Sequence, residues 1–560
     1  MANGKPKLEL TWIGKDQQPQ LEPRILVEDP EKSYGDPRSQ NMLIHGDNLL
    51  ALKALEQEFA GKVKCIYIDP PYNTGSAFED YDDGLEHSTW LSLIRPRLQL
   101  LWRLLKPDEG TLWVSIDDRE VAYLRVLLDE LVGRDKFVAC NVWQKRYSRE
   151  NREAIGDVHE YVLLYAKSPL RFKVARNRLQ FTGKQTQVYR NPNSDPRGPW
   201  RAVPITAQAG HGTQAQFYTI TAPGGRKYDP PPGNCWRYTK DVFDALVAQG
   251  RIYFGKDNNG RPNTIRYLSE VEGVVPWTWW PHEEVCNTDE AKKEILSLFQ
   301  DATLFETPKP ERLVERILHI ASNPGDLVLD SFLGSGTTAA VAHKMGRRWI
   351  GVELGDHCDT HCVPRLRKVC DGTDQGGISK AVNWKGGGGF RYYYLAPSLL
   401  KKDEHGNWVI DERYNADMLA AAMAKHEGFR YQPSEELYWK QGQSTEKDFI
   451  FTTTQFMTVE TLDRIHEQMA EGESLLICCK SFSEACRRRY PGITVRKIPQ
   501  MLLGRCEFGR DDYSLSIVNM PRDPNEPAFV PVGPPPDAPK SKPKDPNPDQ
   551  TDMFTTSDQA

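Results

Sequence analysis

Residues 327–353 read LVLDSFLGSGTTAAVAHKMGRRWIGVE. The apolar run Leu327–Asp330 predicts a strand, and a turn holding Gly334 and Gly336 follows. A helix to Met345 and a second strand, Trp349–Glu353, complete the unit. Glycines in such a turn let the backbone approach a ligand with no Cβ in the way. Glu353 lies 19 residues past Gly334 and ends the second strand, where a carboxylate can accept hydrogen bonds from two ribose hydroxyls. No lysine follows the glycines, which excludes a Walker phosphate loop. Gly334, Gly336 and Ala339 fit a loose dinucleotide fingerprint. The turn alone does not separate a nicotinamide cofactor from S-adenosylmethionine, since both present a ribose and an adenine.

The same alternation of strand and helix runs through the first third of the chain. Met42–Ile44 predicts a strand ending at Gly46-Asp47, Asn48–Phe59 a helix, and Val63–Ile68 a buried strand. Ser88–Leu105 predicts a helix closed by Pro107, Thr111–Ile116 a strand, and Asp118–Val132 a helix. Phe137–Trp143 and Tyr161–Tyr165 are further strands, and the pattern resumes with a helix over Pro310–Ala321. Alternating strands and helices imply a mostly parallel sheet covered on both faces, an α/β fold of Rossmann type. Its two halves, 41–167 and 301–385, flank an insert over 168–300 that is rich in Pro, Gly, Asn and Arg. Residues 1–40 form an N-terminal extension. A smaller α/β segment spans 386–520, opening on Gly386–Gly389, a flexible linker or a loop crossing a ligand. From Pro521 onward, 11 of 40 residues are proline, a composition that cannot bury a core.

Length and composition narrow the classes further. At 560 residues the chain is too long for one core. No apolar run reaches the roughly 18 residues of a membrane span, and MANGKPKLEL lacks a signal-peptide core. Eleven unevenly spaced cysteines fit a reducing compartment, so a cytoplasmic location is expected. The net charge of −5 conceals an asymmetry. Arg171–Arg266 holds 16 Lys/Arg against 5 Asp/Glu, a balance of +11 that leaves −16 elsewhere. Twelve aromatic residues stand among those charges, including Phe181, Tyr189, Trp200, Tyr218, Trp236 and Tyr253. Basic and aromatic residues interleaved suit phosphate contacts and base stacking.

The motif Asp69-Pro70-Pro71-Tyr72 closes the strand Val63–Ile68, where ligands sit in open α/β sheets. An adenine N6 amine is a poor nucleophile because its lone pair is delocalised into the ring. Two acceptors that bind both N–H groups localise that pair. The Asp69 carboxylate supplies one acceptor and the Pro70 carbonyl the other. Proline has no N–H, so the turn offers acceptors without a competing donor. Tyr72 adds a flat face for the base. Positioning and electrostatics then do what a general base does elsewhere.

These motifs resemble those of the amino-methylating DNA methyltransferases. Catalytic motif first and glycine turn last looks like their circularly permuted β group, in which a target-recognition domain lies between the two. HGDN at 45–48, IYIDPPYNTG at 66–75, TPKPERL at 307–313 and GGGGFRYYYL at 386–395 are together similar to the modification subunits of type III restriction–modification systems. The resemblance implies an adenine-N6 methyltransferase using S-adenosyl-L-methionine on double-stranded DNA, with the insert reading the target. It implies that Asp69, Pro70, Pro71 and Tyr72 hold a flipped adenine. It places Asp330, Phe332, Gly334, Gly336 and Glu353 around the cofactor, with Asp47 near its adenine and Lys309 and Pro310 at its border. A restriction subunit and a second copy of the chain are the partners it suggests. A solitary or other phage-defence methyltransferase, or a catalytically silent DNA-binding subunit, would carry much the same sequence. A dehydrogenase would explain the glycine turn but leave Asp69–Tyr72 and the basic insert unused.

Other signals are weaker. Asp117-Asp118 sits where a strand passes into a helix and is expected to cap it. His159-Glu160-Tyr161 is expected to be a plain strand start. His357, Cys358, His361, Cys362 and Cys370 lack the paired knuckles of a zinc site, and no metal is expected. Gln550-Thr551-Asp552-Met553-Phe554 resembles the short peptides that dock on the bacterial sliding clamp.

Overall fold

The computed structural model describes residues 9–72, 87–148, 155–181, 183–299 and 307–513. The proline-rich segment from 521 and the clamp-like peptide Gln550–Phe554 lie outside the described residues.

Among the described residues, ten strands form the main sheet: β1 (Leu26–Gly35), β2 (Met42–His45), β3 (Cys65–Ile68), β4 (Thr111–Ile116), β5 (Phe137–Gln144), β6 (His159–Ala166), β7 (Trp279–Trp280), β8 (Leu327–Asp330), β9 (Arg348–Glu353) and β10 (Gly389–Leu395). Their spatial order is β1-β10-β2-β9-β8-β3-β4-β6-β5-β7. The six central strands from β10 to β4 are mutually parallel, while β1 and β6 run against their neighbours. Central strands with helices on both faces are apolar throughout. All six residues of β4 are accordingly buried.

Helices α1 (Asn48–Phe59), α2 (His87–Leu104) and α3 (Val121–Leu128) cover one face, burying Leu50, Leu55, Trp90, Leu98 and Leu124. Helices α4 (Glu311–Ala321), α5 (Thr337–Lys344) and α6 (Val363–Asp371) cover the other. In α4, Leu313, Val314, Ile317, Leu318 and Ala321 recur at helical spacing and form one buried stripe. The chain runs from β8 to β9 toward one side of the sheet and from β3 to β4 toward the other. The strand order therefore reverses between β8 and β3. Open α/β sheets bind ligands at the carboxyl ends of the strands flanking that reversal. The glycine turn follows β8 and Asp69–Tyr72 follows β3.

The sheet reaches past three of the expected boundaries. β1 lies inside the expected N-terminal extension, β7 inside the expected insert, and β10 inside the expected C-terminal segment. β10 pairs with β2 and β1 covers β10, which satisfies a ladder that β2 would otherwise leave open at the edge. The glycines before β10 are a close crossing rather than a linker. A Cβ on Gly35 would collide with the Gly388 carbonyl. β7 is two residues long, too short to leave a periodic signal, yet Trp280 is fully buried against Trp113.

The insert carries its own three-stranded antiparallel sheet, Ile252–Tyr253, Asn263–Tyr267 and Trp200–Pro204. Its aromatic residues correct the stacking expectation in part. Trp236, Trp200 and Tyr189 are buried and build the insert itself. The charges are what face outward: Arg190, Arg201, Arg226, Lys227 and Arg237 are exposed. The C-terminal segment holds a five-stranded sheet in which Asp448–Met457, Ser474–Phe482 and Ile493–Lys497 are parallel. Its end returns to the main domain, where Tyr513 is buried beside α2. Among the described residues, no helix is long and apolar enough to cross a membrane.

Candidate active site

Asp69 leaves the end of β3 and is met by Tyr72 of its own turn and by Lys309 from the segment before α4. Tyr72 Oη donates to Asp69 Oδ1 at 2.7 Å, and Lys309 Nζ donates to Oδ2 at 2.6 Å. Glu160, the second residue of β6, accepts from Tyr72 Oη at 3.2 Å and lies 3.5 Å from Lys309 Nζ. Lys145, just past β5, holds the other Glu160 oxygen at 3.4 Å and pairs with Asp157 at 2.8 Å. The Lys309 ammonium also lies 5.1 Å from the Tyr72 ring centre and 6.0 Å from that of Trp143.

Burial, then the Asp69 and Glu160 charges, push the Tyr72 phenol well above its usual range, so it stays a donor. Burial works to lower the Lys309 pKa, but the Asp69 and Glu160 carboxylates outweigh it and hold the ammonium above its usual range. The turn is pinned from behind, where Trp90 Nε1 donates to the Pro71 carbonyl at 2.8 Å. Among the described residues, no donor reaches the Pro70 carbonyl.

The glycine turn is fixed by two carboxylates. Asp330 is buried and accepts from the Phe332 amide at 2.9 Å and the Thr338 hydroxyl at 2.6 Å. Burial pushes its carboxyl up to about 7. Its two hydrogen bonds oppose the shift, and the Asp69 and Glu353 charges add to it. Glu353 Oε2 accepts from the Gly334 amide at 2.6 Å. Its Oε1 accepts from the amides of Leu354 and Gly355 at 2.9 and 3.2 Å, with His357 Nε2 at 2.9 Å. A carboxylate offers about four lone-pair sites, so Oε2 keeps room for a further donor such as a ribose hydroxyl. Gly334 and Gly336 have φ of 55° and 81°, a left-handed region that glycine enters at little cost. The neighbouring Ser331 hydroxyl is buried without a partner among the described residues, the kind of atom that a polar ligand completes. These features fit a ribose-bearing cofactor.

The remaining predicted positions divide. Phe332 is half-buried and packs on the core. Pro310 caps α4, and Lys309 before it reaches Asp69, which puts Lys309 on the Asp69 side of the crevice. Asp47 is committed elsewhere. It caps α1 by accepting from the Leu50 amide at 3.0 Å, and it also accepts from Arg97 and the Tyr513 amide. The adjacent Asn48 donates to the Ser331 carbonyl at 2.8 Å, so Asp47 acts on the turn through its neighbour. Asp117 and Asp118 do not cap α3. Asp117 closes a turn on the Arg119 amide, and Asp118 accepts from the Tyr161 hydroxyl at 2.7 Å. Cys358 and Cys362 belong to the apolar core, with the Cys362 thiol on the Gly334 carbonyl.

Glu160, expected only as part of a plain strand start at His159-Glu160-Tyr161, sets its carboxylate against Tyr72 and Lys309 instead. A carboxylate one step into a strand, followed by Tyr161 and Val162, is the available signal: the side chain turned inward there must have a cation to meet.

An open, doubly wound sheet with a glycine turn and an acid-proline-proline-aromatic turn on either side of its reversal point defines an α/β protein with its candidate site at the switch point of the sheet. The profile of the DNA methylase family N6_N4_Mtase matches residues 63–360, and the chain belongs to that family. It is 35% identical over 369 residues to the type III restriction-modification enzyme StyLTI Mod subunit of Salmonella typhimurium, covering 59% of this chain and 55% of that one. It is 34% identical over 324 residues to the type II methyltransferase M.EcaI of Enterobacter cloacae, covering 56% and 66%. The chain thus spans about half the length of the first of these relatives. Among solved structures, the PvuII cytosine-N4-specific DNA methyltransferase aligns at 15% identity and a TM-score of 0.33, covering 62% of this chain and 95% of that one.

Proposed function

We propose that the chain is an S-adenosylmethionine-dependent DNA methyltransferase acting on adenine N6, serving as the modification subunit of a type III restriction–modification system. The observation that carries the proposal is the Asp69 carboxylate at the reversal point of the sheet, beside a glycine turn whose Glu353 has room for a ribose hydroxyl. Adenine N6 is paired and stacked in a duplex, so the base must leave the helix to reach Asp69. Asp69 and the Pro70 carbonyl then accept from the amine, and Tyr72 lends its ring face to the base. S-adenosylmethionine, when bound, supplies a methyl group on a positively charged sulfur. Glu353, Asp330 and the backbone of Gly334 and Gly336 would hold it.

The exposed arginines of the insert suit the phosphate backbone, and we assign target recognition to residues 168–300. A restriction subunit is the partner this setting supplies. Incubation with labelled S-adenosylmethionine and unmethylated genomic DNA tests the reaction. Label in N6-methyladenine supports it, and label in cytosine or no transfer contradicts it.

A further inference from the structure

The Asp69 carboxylate is already held by two donors, Tyr72 Oη at 2.7 Å and Lys309 Nζ at 2.6 Å. A fixed ammonium at that distance is at odds with the proposed reaction. Each Asp69 oxygen keeps a free lone pair, but the ammonium crowds the approach to Oδ2 and repels the positive charge that grows on N6 as the methyl bond forms. The structure holds a second seat for it. Glu160 Oε2 lies 3.5 Å from the same nitrogen and 3.2 Å from the same tyrosine hydroxyl. Glu160 cannot drift, because Lys145 holds its other oxygen and is itself anchored on Asp157.

We propose that Lys309 is a positioning residue that exchanges partners: it pairs with Asp69 before a target base arrives and passes to Glu160 when the adenine amine takes the Asp69 carboxylate. This rests on the proposed methyl transfer to adenine. The exchange leaves the local charge unchanged, because the carboxylates of Asp69, Glu160 and Asp157 and the ammonium groups of Lys309 and Lys145 are all present before and after it. The move is short, since both acceptors already lie within 3.5 Å of the nitrogen.

The test compares methyl transfer to unmethylated genomic DNA by the wild type, Lys309→Arg, Glu160→Gln and the double variant Glu160→Gln/Lys309→Met, with S-adenosylmethionine affinity measured for each. Glu160→Gln weakens the second seat, and kcat is expected to fall about 10- to 100-fold with cofactor Kd unchanged. Adding Lys309→Met removes the competitor for Asp69 and restores about tenfold of that loss. Lys309→Arg keeps the charge and the fold but grips Asp69 through its planar fork, lowering kcat about tenfold. A double variant slower than Glu160→Gln, or Lys309→Arg at the wild-type rate, overturns the exchange while leaving the proposed reaction in place. A wild type that transfers no methyl group to adenine overturns the proposed reaction, and the exchange with it.

Discussion

The Gly334 amide donates to Glu353 Oε2 at 2.6 Å, tying the glycine turn to the end of the neighbouring strand. The same carboxylate takes the Leu354 and Gly355 amides on its other oxygen. The acid is thus set in place before any ligand arrives, and cofactor binding does not have to organise it. Glu353→Ala leaves three amides without their acceptor, at about 1–3 kcal/mol for each that stays dry. S-adenosylmethionine affinity should fall at least about tenfold and the melting temperature should drop, read by calorimetry and thermal unfolding. Unchanged affinity would remove Glu353 from the cofactor site.

Gly336→Ala tests the backbone of the turn. A Cβ there would meet Cys362 only at 3.5 Å, ordinary contact, so the cost is conformational. At φ 81° an L-residue pays about 1–2 kcal/mol. Chemical denaturation should show that loss, with weaker cofactor binding beside it.

Asp330 gives a pH signature. Its carboxyl is raised from 3.8 to about 7 in the folded chain. Between those values the unfolded chain gives up the proton while the folded chain retains it, so stability falls as pH rises. The contribution is fully present below about pH 4 and is lost through pH 7. Thermal midpoints of the cofactor-free protein should therefore decline more steeply between pH 4 and 7 than those of Asp330→Asn. Parallel curves would place the titration elsewhere.

Arg226 and Arg237 lie exposed on the insert. If they touch DNA phosphates, Arg226→Gln and Arg237→Gln should weaken binding to all sequences alike. Each should reduce the salt dependence of log K by about 1, with cofactor affinity unchanged. Loss of binding to one sequence only would indicate base contact instead.

Much of this was legible in the chain because the relevant signals are local. The strand Leu327–Asp330, its glycines and Glu353 sit within 27 residues, and the alternation of apolar and helical runs declares a parallel sheet. The edges of that sheet were not legible. β1 and β10 meet across more than 350 residues of sequence, and two-residue β7 carries no period. The pairing of Lys309 with Asp69 and the place of Glu160 beside it were hidden for the same reason. Lys309 lies 240 residues away and Glu160 faces inward from a strand that periodicity describes only as a strand. Interleaved aromatics in the insert suggested stacking, but composition does not say which rings the insert needs for its own core.

Methyl transfer to DNA by the wild type and Asp69→Ala, with the product digested to nucleosides, tests the central claim most directly. The account predicts labelled N6-methyladenosine from the wild type. It predicts a fall of about 1,000-fold or more in Asp69→Ala while S-adenosylmethionine still binds. N6-methyladenosine formed at the wild-type rate by Asp69→Ala, or label found only outside adenine, would contradict it.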